Sequence, residues 1–235
     1  MRFSTLLSAS LLFAATVTGA PIVETLEELE ERASVDFFKP TDKGGSLLDQ
    51  SAGLGEPLNV IISGKSSPEV LTKDGFNNYA RAVGYSIECF GQHRGDPQKA
   101  NLGDGHGYSN EIEVLREHFS IPVLGTCLES LKGGNHLRMW QQNGPDANSG
   151  ALFLAVSQEE DIIEHHDIVP DGYNIGRDRF VDGALGTKVF LWKKYTTTVV
   201  ERRDLIVAAA EGVNHGISQD GVVKVLTVTV KNVWE

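Results

Sequence analysis

An α/β fold, with a single-layer mixed sheet packed with helices in one domain, is what this 235-residue sequence predicts, and three stretches carry the prediction. LNVIISG, residues 58–64, is a β-branched apolar run closed by a glycine, the pattern of a strand buried on both faces. Ser67-Pro68-Glu69 follows at once and supplies an N-cap, a proline suited to the first helical position and an early acid. ALFLAVS, residues 151–157, is a second strongly apolar strand. A strand followed promptly by a helix builds a sheet with helices laid on it.

Ahead of these elements, residues 1–20 read as a secretory signal peptide. Arg2 gives a short positive start, Leu6 to Val17 is apolar with only small polar interruptions, and Thr18, Gly19 and Ala20 are small. Cleavage after Ala20 would leave Pro21 beside the scissile bond; cleavage after Gly19 is the other choice. Residues 21–54 divide into a short acidic amphipathic helix at 21–32, with Val23, Leu26 and Leu29 among five glutamates, and a linker rich in Gly, Pro, Asp and Ser. The α/β domain then spans 55–235. After Ser67, residues Val70, Leu71, Phe76, Tyr79, Ala80 and Val83 form the buried stripe of a helix, inside which Gly75 is a potential break. YSIECF (85–90) is the next strand. GQHRGDPQKANLGDGHGYSN is a long loop of turn formers, and EIEVLREHF has helical period. GGNHLRMW (133–140) and ALFLAVS are joined by the turn-rich QQNGPDANSG as a hairpin. A helix at 172–185 should turn Ile175, Phe180, Val181 and Leu185 inward, and TKVFLW, TTTVVER and GVVKVLTVTV complete the strands.

The formal charge of −11, from 21 basic and 32 acidic residues, argues against nucleic acid as a partner, because phosphate-backbone binding needs a basic stripe. It equally disfavours attraction of the chain as a whole to anionic lipid, and no stretch reaches the length of a transmembrane span. Cys89 and Cys127 are the only cysteines. In an exported chain an even pair reads as one disulfide, stabilising by roughly 3–4 kcal/mol through loop closure. Two buried free thiols, or a catalytic one, are the alternative, although no Cys-x-x-Cys spacing supports redox chemistry. The expected location is extracellular.

No motif of established chemistry occurs: there is no HExxH, no Gly-x-Ser-x-Gly elbow and no phosphate loop, so no motif requires a cofactor. The residues worth weighing are local patterns. On a strand, His136, Arg138 and Trp140 share one face and look outward, while Leu137 and Met139 enter the core. His165 and His166, if extended, face opposite ways, so only one can join them. The segment EEDIIEHHDIVPDGYNIGRDRF adds Asp167, Asp171, Arg177, Asp178 and Arg179. His136, Arg138, Trp140, His165, His166, Asp171, Arg177 and Asp178 are therefore the ligand-binding candidates. His136, His166 and Asp171 are the candidates for a metal. For Arg177 and Asp178, capping and an ion pair are the simpler role. Trp140, Trp192 and Trp234 are too scattered in sequence for a carbohydrate-stacking platform.

LNVIISG, NHLRMW, ALFLAVS and HHDIVPDGYNIGRDRFVDGAL together resemble the LssY C-terminal domain family, in which a His/Arg/Trp strand precedes a His-His-x-Ile-x-Pro-Asp stretch and an Arg-Asp helix. The chain also looks like a group of secreted fungal proteins that carry the cysteine pair and the ANLGDG loop. The resemblance covers roughly residues 55–190, implies an α/β domain and marks His136, Arg138, Trp140, His165, His166, Pro170, Asp171, Arg177 and Asp178 as motif positions. It implies no particular activity. Bacterial members often follow membrane-embedded modules, including phosphatase-like ones, whereas this chain shows only a signal peptide.

The function expected from these residues is binding of a small polar or anionic ligand in a His/Arg-lined pocket. A metal-dependent or general acid-base hydrolase is one alternative, and an extracellular structural or interaction protein without catalysis is the other. The partner is an unknown small molecule or an extracellular partner.

Overall fold

Val60, Ile61 and Ile62 are apolar and fully buried because they sit at the centre of the sheet. In a computed structural model that describes residues 35–235 apart from 52, 92–94 and 122–123, the strands are β1 (Val60–Ile62), β2 (Tyr85–Ile87), β3 (Lys99–Asn101), β4 (Tyr108–Asn110), β5 (Glu113–Glu117), β6 (Gly134–Gly144), β7 (Ala147–Glu159), β8 (Gly186–Phe190), β9 (Lys193–Arg202) and β10 (Val223–Asn232). Eight of them form one mixed sheet in the order β2-β5-β6-β7-β1-β10-β9-β8, and β3 and β4 make a separate hairpin. β1 is parallel to β10 and antiparallel to β7. Both of its faces are covered, which is what its β-branched residues require. The expected signal peptide and the acidic helix at 21–32 lie outside the described residues.

Among the described residues three α-helices accompany the sheet: α1 (Lys73–Val83), α2 (Leu124–Lys132) and α3 (Gly172–Ala184). α1 and α3 lie on one face. There Phe76, Tyr79, Phe180 and Val181 meet Ile62, Leu115, Leu137, Met139, Leu154 and Leu226. Among the described residues no helix covers the centre of the opposite face. Ile61, Trp140, Phe153 and Val225 are covered there by Leu47, Leu58, Ala100, Leu102 and Leu205, from irregular segments and the β3 hairpin. Much of the stretch expected to be a linker is therefore seated on the sheet, with Phe37 edge-on to Phe153 at 5.9 Å. The architecture is a mixed sheet packed with helices, in which strand outweighs helix.

Three local expectations are corrected. EIEVLREHF is not a helix; it supplies β5, paired with β2 and β6. Its apolar spacing fits either period, and pairing on both sides decides for the strand. The helix expected from Ser67 begins instead at Lys73, after turns at 67–72, and Thr72 Oγ1 accepts from the Gly75 amide. Gly75 does not break it: a β-carbon there would stand 1.8 Å from the Glu69 carbonyl oxygen, so the glycine permits a close approach. In α3, Phe180 and Val181 are buried as expected, but Ile175 and Leu185 are exposed, and Arg177 is inward instead. The helix reaches the sheet at Gly176, where a β-carbon would meet the Ser157 backbone at 2.5 Å.

The cysteines are joined, Cys89 to Cys127, and none is free among the described residues. No helix among the described residues is long and apolar enough to cross a membrane.

Candidate functional site

β5, β6 and β7 bring three short rows of side chains together on the face away from α1 and α3. The register sets Arg116 beside His136 and Ser157, Val114 beside Arg138 and Ala155, and Trp140 beside Phe153. His136, Arg138 and Trp140 thus share a face, as their alternation requires. They do not look out to solvent: His136 is 1% exposed and Trp140 is 0% exposed. The stretch read as outward is roofed by α2, by the turn at His165 and His166, and by segments that include Asp49 and Glu56.

Arg116 lies among three carboxylates. Its Nε donates to Glu88 Oε1 at 3.2 Å, and its Nη1 donates to Glu129 Oε2 at 3.1 Å and to Glu159 Oε2 at 2.7 Å. Two of these partners come from the disulfide: Cys89 follows Glu88, and Cys127 lies on the same helix as Glu129. The bond therefore fastens α2 where its one buried acid meets Arg116. Burial pushes the Glu129 carboxyl up to about 7, against the opposing pull of Arg116. Glu159 is held below the usual carboxylate range. Burial works to raise it, and the charge and hydrogen bond of Arg116 outweigh burial.

Glu159 also orients His136. The imidazole Nδ1 is 3.2 Å from Glu159 Oε1, with Ser157 Oγ at 3.4 Å. Burial drives the His136 pKa down to about 3, so the ring is neutral across the ordinary range. A neutral ring that donates from Nδ1 leaves a lone pair on Nε2, and that atom is buried without a partner. Two residues along the strand, Arg138 Nη1 donates to both oxygens of Glu111 at 3.3 and 3.0 Å, while its Nε is buried and unpartnered. Trp140 Nε1 is likewise unpartnered. Glu56 and Asp49, within the electrostatic reach of Arg138, each keep one buried carboxyl oxygen without a partner. Burial raises Glu56 to about 8, so it carries a proton at neutral pH.

An open groove of about 380 Å³ lies on the outer side of these rows, lined by Lys73, Glu88, Glu111, Ile112, Glu113 and Val114 among others. Glu88 and Glu111 are shared: they line the groove and hold Arg116 and Arg138 behind it. Carboxylates outnumber arginines throughout, so the site favours a neutral or protonated guest over an anion.

The other candidates scatter. His165 is exposed, and His166 is half-buried with Nδ1 3.5 Å from Glu159 Oε2, at the limit of hydrogen-bond range. They do not alternate across a strand; both lie in a turn with positive φ, 57° and 60°. Asp171 is exposed at the start of α3 and accepts from Asn174 Nδ2. Arg177 is an interior clamp, 3% exposed, bound to Asp178, to Asp220 and to the Val222 carbonyl. It ties α3 to the approach to β10 and stands apart from His136. Among the described residues no group of three or more His, Cys, Asp or Glu is arranged to hold a metal ion, so His136, His166 and Asp171 do not make one.

Sequence reasoning missed Arg116, Glu129, Glu159, Glu56 and Asp49. For Arg116 a signal existed, since Val114 and Arg116 alternate with Leu115 as a strand requires. For the carboxylates none did. Comparison of the chain with family models, with curated proteins and with solved structures finds no match.

Proposed function

We propose that the protein is an exported binding protein for a small neutral ligand that carries both donor and acceptor groups, such as hydroxyls or amides. One observation carries this: His136 Nε2, Arg138 Nε, Trp140 Nε1 and Glu56 Oε2 are all buried without a partner. Each such group costs about 1–3 kcal/mol if left unmet, and native interiors rarely leave several unmet. Arg138 and Trp140 offer donors, His136 an acceptor, and protonated Glu56 a further donor. A neutral guest matches that set, and a phosphate or carboxylate would meet the surrounding acids. The signal-peptide pattern and the disulfide support export, and the resemblance to the LssY C-terminal domain family falls on the same His/Arg/Trp strand.

The test is a titration followed by NMR through the Trp140 indole and Arg138 Nε–H signals, with glycerol, glucose, acetamide and inorganic phosphate as probes. A neutral probe is expected to shift both signals saturably and to lose its effect in folded His136→Ala. If only phosphate shifts them, or if none does, the proposal is overturned, and in the latter case trapped water satisfies these groups.

A second reading is favoured by the Glu159–His136 pair itself. A carboxylate that fixes Nδ1 and leaves Nε2 bare is the geometry of a general base, one that would act only where a bound substrate raises the ring from its pKa near 3 toward neutrality, and protonated Glu56 is an available acid. Hydrolysis of a bound probe, lost in His136→Ala and in Glu56→Gln, would move the function from binding to turnover.

A further inference from the structure

We infer that the β8–β9 hairpin tip and the end of β10 form a docking surface for an anionic lipid interface. Trp192 and Trp234 are 42 residues apart in sequence, yet their rings lie 6.1 Å apart and nearly parallel, at 23°. They are 69% and 81% exposed. The Val233 amide donates to the Trp192 carbonyl and so fastens the two segments together. Leu191 and Val189 protrude beside them, 61% and 59% exposed. The scatter of the tryptophans in sequence therefore conceals an assembled apolar tip.

The turn is built at a cost. Leu191 and Trp192 both take positive φ, 44° and 65°, in a tight connection where Asn-Gly is the preferred sequence. Large side chains are disfavoured in that backbone conformation. Folding gains little from them, because both point into solvent. Residues held against local preference and left exposed are suited to contact something outside the molecule.

The charge around the tip identifies the partner. Residues 186–195 and 229–235 carry four lysines, Lys188, Lys193, Lys194 and Lys231, against one carboxylate, Glu235, in a chain whose formal charge is −11. Of these, Lys193 pairs with Glu69, and Glu235 is bound by Asn232 while sensing Lys193 and Lys231. Lys188, Lys194 and Lys231 make no ion pair among the described residues. Indole rings with aliphatic neighbours and a lysine collar are the composition of an interfacial anchor. A polysaccharide platform would have little use for Leu191 and Val189. Overall acidity, which disfavours lipid for the chain as a whole, is locally reversed here. The surface stands at the opposite edge of the sheet from the His136 site and does not depend on it.

The experiment is co-sedimentation of the purified chain with phosphatidylcholine vesicles, with and without phosphatidylserine, alongside Trp192→Ala/Trp234→Ala and Lys194→Glu/Lys231→Glu variants prepared identically. Circular dichroism checks that each folds, which is expected because all four side chains are on the surface. Wild type should bind the phosphatidylserine vesicles, more weakly as salt rises. The tryptophan variant should lose about tenfold or more in partitioning, and the lysine variant about fivefold for each lysine removed. Failure of wild type to bind either vesicle overturns the inference. So does equal binding by the folded variants, or Trp-dependent retention on insoluble chitin or cellulose in place of vesicles.

Discussion

Replacement of Arg116 by methionine is expected to lower folding stability by about 3–5 kcal/mol at pH 7, the cost of leaving buried charge uncompensated. Arg116 is the common partner of Glu88, Glu129 and Glu159. Without it the acids face one another across a dry interface between α2 and the sheet. Glu159, now held below the usual carboxylate range, would answer by taking up a proton, and Glu129, already raised by burial to about 7, would be pushed higher. A raised carboxyl pKa gives a contribution that is most favourable below about pH 4.5 and is lost as pH rises. The deficit relative to wild type should therefore be large at pH 7 and much smaller at pH 4.5. Urea denaturation at the two pH values checks this. A loss below about 1 kcal/mol at pH 7, or equal losses at both, would show that the cluster is not held by Arg116.

Glu56→Gln is expected to act in the opposite direction, stabilising at alkaline pH. The folded Glu56 carboxyl titrates near 8 because burial disfavours its charge, with Arg138 only partly offsetting this. Its contribution to stability is full below the unfolded value near 4.5 and is lost as pH rises through 8. Glutamine has almost the same shape and never ionises. The variant should match wild type at pH 5 and exceed it by on the order of 3 kcal/mol at pH 9. His136 contributes the complementary limb. With its folded pKa near 3 and an ordinary value of 6.5, its contribution is full above about pH 6.5 and is lost as pH falls toward 3. A denaturation series in which Glu56→Gln and wild type remain parallel from pH 5 to 9 would mean that Glu56 is ionised, or solvated, throughout.

How far the site was legible depends on the range of the forces that build it. That His136, Arg138 and Trp140 share a face follows from strand alternation alone, and LNVIISG and ALFLAVS are central strands for reasons contained in their own side chains. What covers the face is a different matter. Residues 36–57 have the composition of a linker, yet Phe37 and Leu47 find apolar neighbours only once β1, β7 and β10 are assembled, and in doing so they close the roof. Arg116 was hidden because EIEVLREHF fits two periods and only its neighbours β2 and β6 choose between them. Glu129 and Glu159 reach His136 and Arg116 through a disulfide-tethered helix and through register, and neither leaves a trace in local spacing. The scatter of His165, Asp171 and Arg177 has the converse origin. Proximity in sequence suggested a cluster, whereas a left-handed turn and the start of a helix send these side chains in different directions.

The central claim is that His136 is a buried neutral imidazole, donating from Nδ1 to Glu159 and holding an unshared lone pair on Nε2 toward the buried polar groups around it. Nitrogen-15 NMR of the histidine rings measures this most directly. A proton is expected on Nδ1 of His136, none on Nε2, with the ring staying neutral as pH is lowered from about 8 to about 4, in keeping with a pKa near 3. An imidazolium at pH 6, or a proton fixed on Nε2, would contradict it and would remove both the acceptor and the base on which the proposed function rests.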